Sequence, residues 1–280
     1  MTVALSAPPT LHARPFLKWA GGKGRLLSQY EPFLPTAIDT YYEPFLGGGA
    51  MFFHLVGRSR RAVLGDINPE LVNVYCCVRD RVEPLIRHLW DHQRRHSPDY
   101  YYQVRQRQNL RSPVERAARL IYLNKTCYNG LYRENSQGHF NVPVGSYKNP
   151  TICDPSLLRA ASAALQTAEI QTFSFETLLE RSLSPGDFVY FDPPYHPLSS
   201  TSSFTGYSRY GFTGADQERL ATVFRTLANQ GQRVMLSNSD CEFIRELYQG
   251  FTMHPILAAR AINSRAGRRG KIGELLITPL

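Results

Sequence analysis

A chain of 280 residues with 42% hydrophobic and 12% aromatic content is globular in composition, long enough for one large α/β domain or for one domain with a substantial insertion. Its formal charge of +9 points to a polyanionic partner, most often nucleic acid, although excess charge also serves solubility alone. Five cysteines (Cys76, Cys77, Cys127, Cys153 and Cys241), odd in number and without Cys-x-x-Cys spacing, argue against a disulfide framework and a zinc cluster. With no signal pattern and no apolar run near the roughly 18 residues of a membrane span, the expectation is a cytoplasmic protein with reduced thiols and no membrane association.

Residues 1 to 13 read as a loose leader. Phe16-Leu17-Lys18-Trp19-Ala20-Gly21-Gly22-Lys23-Gly24 follows, and its glycines let the backbone approach a ligand closely. Arg25-Leu26-Leu27 can open a helix whose N-terminus favours an anion, and Lys23 can pair with a carboxylate or phosphate. Such turns are also common without a ligand. Thr40-Tyr41-Tyr42-Glu43-Pro44-Phe45-Leu46 is a strand candidate, followed by Gly47-Gly48-Gly49-Ala50 and the helix start Met51-Phe52-Phe53. Strand, glycine turn and helix make the first unit of a nucleoside-binding sheet, here without the third glycine of the dinucleotide pattern. Ala62-Val63-Leu64-Gly65-Asp66 predicts the second strand, and Asp66 stands about 20 residues beyond the first glycine, where an acid can take ribose hydroxyls. The pair favours a nucleoside-containing ligand over a purely structural turn.

Asn68-Pro69-Glu70 combines a capping side chain with proline at the first helical position. The device recurs at Ser97-Pro98, at Ser112-Pro113-Val114-Glu115, which reads as a capping box, and at Asp154-Pro155. Residues 68 to 127 are therefore predicted helical and outside the sheet. His88, His92 and His96 share helical spacing, but Arg87, Asp91, Arg94 and Arg95 among them favour a solvated helix face over a metal site. Asn124-Lys125-Thr126-Cys127-Tyr128-Asn129-Gly130-Leu131-Tyr132-Arg133, continuing through Ser136-Gln137-Gly138 to Phe140-Asn141-Val142-Pro143-Val144, reads as turns and a hairpin. Its Tyr, Asn, Arg and Lys side chains suit reaching base edges or wedging between bases; a polar structural hairpin is the alternative.

Strands resume at Ala168-Glu169-Ile170-Gln171-Thr172-Phe173, Phe188-Val189-Tyr190-Phe191 and Arg233-Val234-Met235-Leu236-Ser237. The second ends in Asp192-Pro193-Pro194-Tyr195. A carboxylate at the carboxyl end of a strand faces the ligand crevice of an open α/β sheet, and two prolines leave carbonyl acceptors without N–H donors. Asp192 and the Pro193 carbonyl suit the two hydrogens of an exocyclic amino group, while Tyr195 can stack on its ring; a solvated turn is the bland alternative. Residues 199 to 213, polar yet studded with aromatics, read as a flap that orders on substrate. Apolar stretches at 251 to 259 and 273 to 279 are expected to pair antiparallel. Between them Arg260, Arg265, Arg268, Arg269 and Lys271 form a basic loop suited to phosphates or to solubility alone.

Taken in order, Lys18-Trp19-Ala20-Gly21-Gly22-Lys23, Glu43-Pro44-Phe45 with Gly47 to Gly49, Gly65-Asp66-Ile67-Asn68, Tyr128-Asn129-Gly130-Leu131 and Asp192-Pro193-Pro194-Tyr195 closely resemble the Dam-type (alpha-group, D12 class) adenine-specific DNA methyltransferases. The resemblance runs from Phe16 over nearly all of the remaining chain. It implies S-adenosyl-L-methionine as cofactor and the N6 amino group of adenine in double-stranded DNA as acceptor. It also implies an α/β fold: a Rossmann-like mixed sheet (residues 1–67 and 155–280) with an inserted, mainly helical target-recognition domain (68–154) carrying a β-hairpin. Matching positions imply cofactor contacts at Trp19, Lys23, Phe45, Gly47, Gly49, Asp66, Ile67 and Asp192, with Lys23 on the methionine carboxylate and Asp66 on the ribose. Asp192, Pro193, Pro194 and Tyr195 would carry the chemistry on a flipped-out base. Tyr128, Asn129, Leu131, Arg133 and Pro143 match base-reading and intercalating positions of members specific for GATC, and Lys18 matches a further guanine contact. Arg268 and Arg269 would meet phosphates. Tyr132 departs from the residue that bacterial Dam proteins can carry there. No metal is implied, a monomer is the default, and a cognate restriction endonuclease is an optional companion. An RNA or protein-amide methyltransferase would share the acceptor-lined crevice, and a catalytically idle DNA-binding regulator is a second class. The former needs no recognition domain of the size that the roughly 145 positions from Gly47 to Asp192 allow.

Overall fold

The computed structural model describes residues 13–198, 211–259 and 271–280. Its strands are β1 (Ile38–Glu43), β2 (Ser59–Asp66), β3 (Ala168–Thr172), β4 (Phe188–Phe191), β5 (Arg233–Ser239), β6 (Thr252–Ala259) and β7 (Lys271–Thr278). They form one seven-stranded sheet of order β3-β2-β1-β4-β5-β7-β6. The strands from β3 to β5 run parallel, and β7 inserts antiparallel between β5 and β6. This is the Rossmann-like mixed sheet expected, with its C-terminal antiparallel pair.

Why β4 reads as an unbroken apolar run is visible in its packing. Phe188 and Tyr190 join Tyr41, Leu64 and Met235 on one face, while Val189 and Phe191 join Tyr42, Val63 and Leu236 on the other. A parallel strand buried on both faces has no polar alternation, and each such side chain contributes roughly 1.5–3 kcal/mol. The first face is covered by α2 (Ala50–Leu55), α3 (Pro69–Asp80) and α7 (Pro155–Leu165), and the second by α8 (Gly214–Asn229) and α9 (Glu242–Leu247). The short α1 (Leu27–Tyr30) follows a 3-10 turn at Lys23–Arg25 and sends Tyr30 into the core.

Between β2 and β3 lie α3, α4 (Val82–Arg95), α5 (Pro98–Gln106), α6 (Pro113–Thr126) and α7. All four predicted Xaa-Pro starts hold: Asn68, Ser97, Ser112 and Asp154 each accept first-turn backbone N–H groups. The two-way capping box, however, closes at Thr213 and Asp216, which start α8. Helix α3 packs on β2 and β3 as well as on α6 and α7, so the first helix after the second strand also covers the sheet.

Two expectations for this region need correction. The histidine face of α4 is not fully solvated: His88 and His96 are half-buried, while His92 is 9% exposed, its ring stacks 4.7 Å from Tyr122 and its Nδ1 lies 2.9 Å from the Tyr100 hydroxyl. Helical spacing places it on the stripe of Leu85 and Leu89, and the charged neighbours point elsewhere. Burial holds its pKa down to about 4, so the ring is neutral. His96 Nδ1 meets the Tyr122 hydroxyl, and the described residues contain no group of side chains suited to a metal.

The expected hairpin is the second. The chain doubles back through only two isolated antiparallel bridges, Cys127 with Val144 and Glu134 with Phe140. Asn129 and Gly130 take left-handed φ of 53° and 64° within a 3-10 turn rather than at a hairpin tip. The reversal occurs at Asn135 to Gly138, where the Asn135 side chain accepts from the backbone N–H of Gln137 and His139. Side-chain bonds to the local backbone replace ladder bonds, and Pro143 has no N–H to give. The leader to residue 12, residues 199–210 of the expected flap, and Arg260, Arg265, Arg268 and Arg269 lie outside the described residues.

Candidate active site

The chain leaves β1 toward β2 and β3 on one side, while β4 lies on the other, so the crevice of an open sheet falls outside the carboxyl ends of β1 and β4. From β1 comes the glycine turn. Gly47 and Gly49 have φ of +47° and +68°, and a Cβ on Gly47 would stand 2.8 Å from Trp19 Cδ1. Only glycine permits both that backbone and that approach. The Gly47 N–H donates to Asp66 Oδ2 over 3.1 Å, the Asn68 N–H to Asp66 Oδ1 over 3.0 Å, and the Tyr75 hydroxyl to the Gly47 carbonyl over 3.0 Å. Burial pushes the Asp66 carboxyl up to about 6, against the backbone donors that favour its charge. Ile67, next to it, is 49% exposed, and Phe45 stacks on Phe175 with centroids 5.6 Å apart. Trp19, Phe45, Gly47, Gly49, Asp66 and Ile67 are thus gathered along one turn.

From β4 comes the acceptor loop. Asp192 Oδ1 receives Lys23 Nζ at 2.8 Å and the Ser237 hydroxyl at 2.9 Å. Lys23, 3% exposed, also donates to the Gly21 carbonyl at 2.7 Å, and its Nζ stands 4.6 Å from the centre of the Tyr195 ring. The carboxylate that Lys23 meets here is therefore the protein's own. The Tyr195 hydroxyl donates to Glu274 Oε2 over 2.8 Å, and burial raises the Glu274 carboxyl. β7 runs antiparallel, so its beginning reaches the crevice at which β4 and β5 end.

Behind this loop sits a polar network that sequence reasoning missed. Gln217 of α8 donates to the Pro194 carbonyl over 2.8 Å and receives the Asn238 side chain at 2.9 Å. Asn238 Oδ1 accepts the His196 N–H, and the Ser239 hydroxyl donates to the His196 carbonyl. Gln217, Ser237, Asn238 and Ser239 are all buried, and in low dielectric such a satisfied network fixes the loop's path. It engages the Pro194 carbonyl rather than that of Pro193. A signal was present: Ser237-Asn238-Ser239 is a polar run at the carboxyl end of an apolar strand, the same pattern that marked Asp192. Gln217 and Glu274 carry no local signal. Glu43 is also buried at this end of β1, and desolvation holds its carboxyl well above the usual range.

The remaining predicted residues lie on the loop after α6. Tyr128 is 51% exposed, and its N–H donates to the Pro143 carbonyl, which brings Tyr128, Asn129 and Pro143 together at the surface. Arg133 Nε donates to Asn141 Oδ1 over 2.7 Å, and Leu131 is partly buried against the core. Lys18 Nζ stands 3.8 Å from the centre of the Tyr147 ring and donates to the Lys125 carbonyl.

A glycine turn that only glycine can make, an acid that takes its amide, and a lysine-paired carboxylate at the next strand end make a crevice suited to a nucleoside-bearing ligand. The family model for the D12 class N6 adenine-specific DNA methyltransferase matches residues 19–262. The chain is 44% identical to a type II methyltransferase, M1.LlaDCHI, of Lactococcus lactis subsp. cremoris, over 96% of both chains. It is 43% identical to the type II methyltransferase M.MjaIII of Methanocaldococcus jannaschii, over 95% of this chain and 99% of that one. It is also 38% identical to the DNA adenine methylase of Escherichia coli (strain K12), over 94% of both. The chain belongs to the D12 class of N6 adenine-specific DNA methyltransferases.

Proposed function

We propose that this chain transfers a methyl group from S-adenosyl-L-methionine to N6 of an adenine flipped out of duplex DNA, within the sequence GATC. The observation that carries this reading is the Asp192 carboxylate, fixed by Lys23 and Ser237 at the end of β4, one strand away from the glycine turn that Trp19 covers. When bound, the cofactor supplies a methyl already activated on a sulfonium, so the protein's task is chiefly alignment.

Trp19, Phe45, Gly47, Gly49, Asp66 and Ile67 hold the cofactor along the turn, with Asp66 accepting ribose hydroxyls. Lys23 neutralises carboxylate charge at the junction of the two ligands. N6 is a poor nucleophile while its lone pair is shared with the ring. Asp192 and the Pro193 carbonyl accept its two hydrogens and stabilise the positive charge that develops as it attacks. Pro194 stiffens the turn and Tyr195 stacks on the base, which must leave the helix to reach the crevice. Residues 68–154 serve as the recognition domain, with α3 shared between it and the sheet. Tyr128, Asn129, Leu131, Arg133, Pro143 and Lys18 read and wedge the target bases, and Arg268 and Arg269 meet phosphates. The relatives named DNA adenine methylase support the acceptor, and the matching loop residues support GATC.

The test is transfer of labelled methyl to two duplexes that differ only in whether the GATC adenine is free or already N6-methylated. Label confined to the free duplex is the expected result. Label in both would discard GATC and keep the chemistry; label in neither would discard the acceptor.

A further inference from the structure

The segment Lys18-Trp19 touches both halves of the proposed machinery. On one side the indole meets the glycine turn, where a Cβ on Gly47 would lie 2.8 Å from its Cδ1 and one on Gly48 3.0 Å from its Cβ. The same indole stacks on Tyr132, with centroids 5.6 Å apart and planes at 28°. Tyr132 precedes Arg133 in the recognition loop, and its hydroxyl donates to the buried Glu134. One residue back, the buried Asn124 side chain accepts the Lys18 N–H over 2.8 Å and donates to the carbonyls of Lys18 and Gly130. A Cβ on Gly130 would come within 2.5 Å of Lys18 Cβ, so the loop backbone lies directly on the segment. The glycine turn is therefore packed on Trp19, and the loop after α6 on Trp19 and its neighbour Lys18, so the two share the indole as a common neighbour.

We infer that Tyr132 is a positioning residue that couples the two sites: through its stack on Trp19, filling the glycine turn favours the arrangement of the recognition loop that engages DNA, and engaged DNA favours a filled turn. The inference rests on the methyltransferase reading above. Coupling between two binding sites is reciprocal, so each ligand tightens the other by the same factor. An aromatic contact supplies it because a ring pair transmits position over its whole face, whereas the hydroxyl bond to Glu134 only anchors one end.

Calorimetric titration of the full chain with S-adenosylhomocysteine, alone and with saturating GATC duplex, reads the coupling directly. For the parent, duplex should tighten S-adenosylhomocysteine by about tenfold, and S-adenosylhomocysteine should tighten duplex equally. Tyr132→Ala should bind each ligand alone within about threefold of the parent while its coupling falls below about twofold. Tyr132→Phe keeps the ring and should keep the coupling. Tyr132→Leu keeps apolar bulk without the ring and should lose it, which separates the stack from any folding defect of the alanine variant. Parent-like coupling in Tyr132→Ala or Tyr132→Leu, or a parent that binds both ligands independently, would overturn the inference. A parent that binds neither ligand would overturn the proposed function, and the coupling with it.

Discussion

In the reaction proposed above, Asp192 would use one oxygen that is held and one that is left for substrate. Lys23 and Ser237 both address Oδ1, so the carboxylate plane is set before any ligand arrives. Preorganised partners of this kind matter because they need no reorganisation as charge develops. Asp192→Ala should therefore lose on the order of 10²-fold or more in turnover with duplex affinity retained. Ser237→Ala should lose about tenfold, since its hydroxyl aims the carboxylate and is itself held by the Tyr190 hydroxyl 2.9 Å away. Because the two act as one unit, the double variant should be no slower than Asp192→Ala alone. Single-turnover methyl transfer checks this, and multiplicative losses would mean that Ser237 acts on the substrate independently. Asp192 was legible in the sequence because an acid interrupts an apolar strand before two prolines. Ser237 opens a similar polar run at the end of β5 but no proline follows it, and its link to Asp192 depends on two strands that become neighbours only in the sheet.

At the level of elements, legibility followed how local the determining forces are. β4 was read to the residue because burial on both faces and the following proline are written into eight consecutive positions, and the helix starts at Asn68, Ser97, Ser112 and Asp154 rest on contacts a turn away. The loop after α6 departs from the expected hairpin because its Asn-Gly pair can satisfy several turns, and packing on the distant Lys18 selects one of them. The face of α4 was misread because charged neighbours outvoted a histidine whose partners, Tyr100 and Tyr122, come from α5 and α6. Its burial has a measurable consequence. With a folded pKa of about 4 against the ordinary value near 6.5, His92 takes up a proton more readily when unfolded. Stability from this group is present above pH 6.5 and is lost progressively as pH falls toward 4, by about 2 kcal/mol between pH 7 and pH 5. Asp66, raised to about 6, has the opposite sign and gains stability over part of the same range. The informative quantity is thus a difference: urea unfolding at pH 7 and pH 5 should show His92→Gln losing about 2 kcal/mol less than the parent on acidification. Equal losses would mean that His92 titrates normally in the folded chain.

Across the whole molecule, charge is divided between the crevice and the surfaces beyond it. The crevice gathers Glu43, Asp66, Asp192 and Glu274 around the single ammonium of Lys23 among the described side chains named there. It is no place for phosphates. The positive excess lies elsewhere in the sequence: residues 68–154 hold 13 Lys and Arg against 8 Asp and Glu, and residues 260–271 hold 5 against none, leaving the remainder close to neutral. In the function proposed above, base reading would fall to the first segment and phosphate neutralisation to the second. Counterion release makes this division measurable, because log affinity falls with log salt at a slope of about −0.9 per neutralised phosphate. Arg268→Ala with Arg269→Ala should reduce the magnitude of that slope by about 2, equally for GATC and unrelated duplexes. Arg133→Ala should leave the slope nearly intact and cost roughly 1–3 kcal/mol on GATC alone. If the double variant kept the parent slope, the basic segment would serve solubility, and the phosphate contacts would have to be sought among the thirteen cations of the insertion.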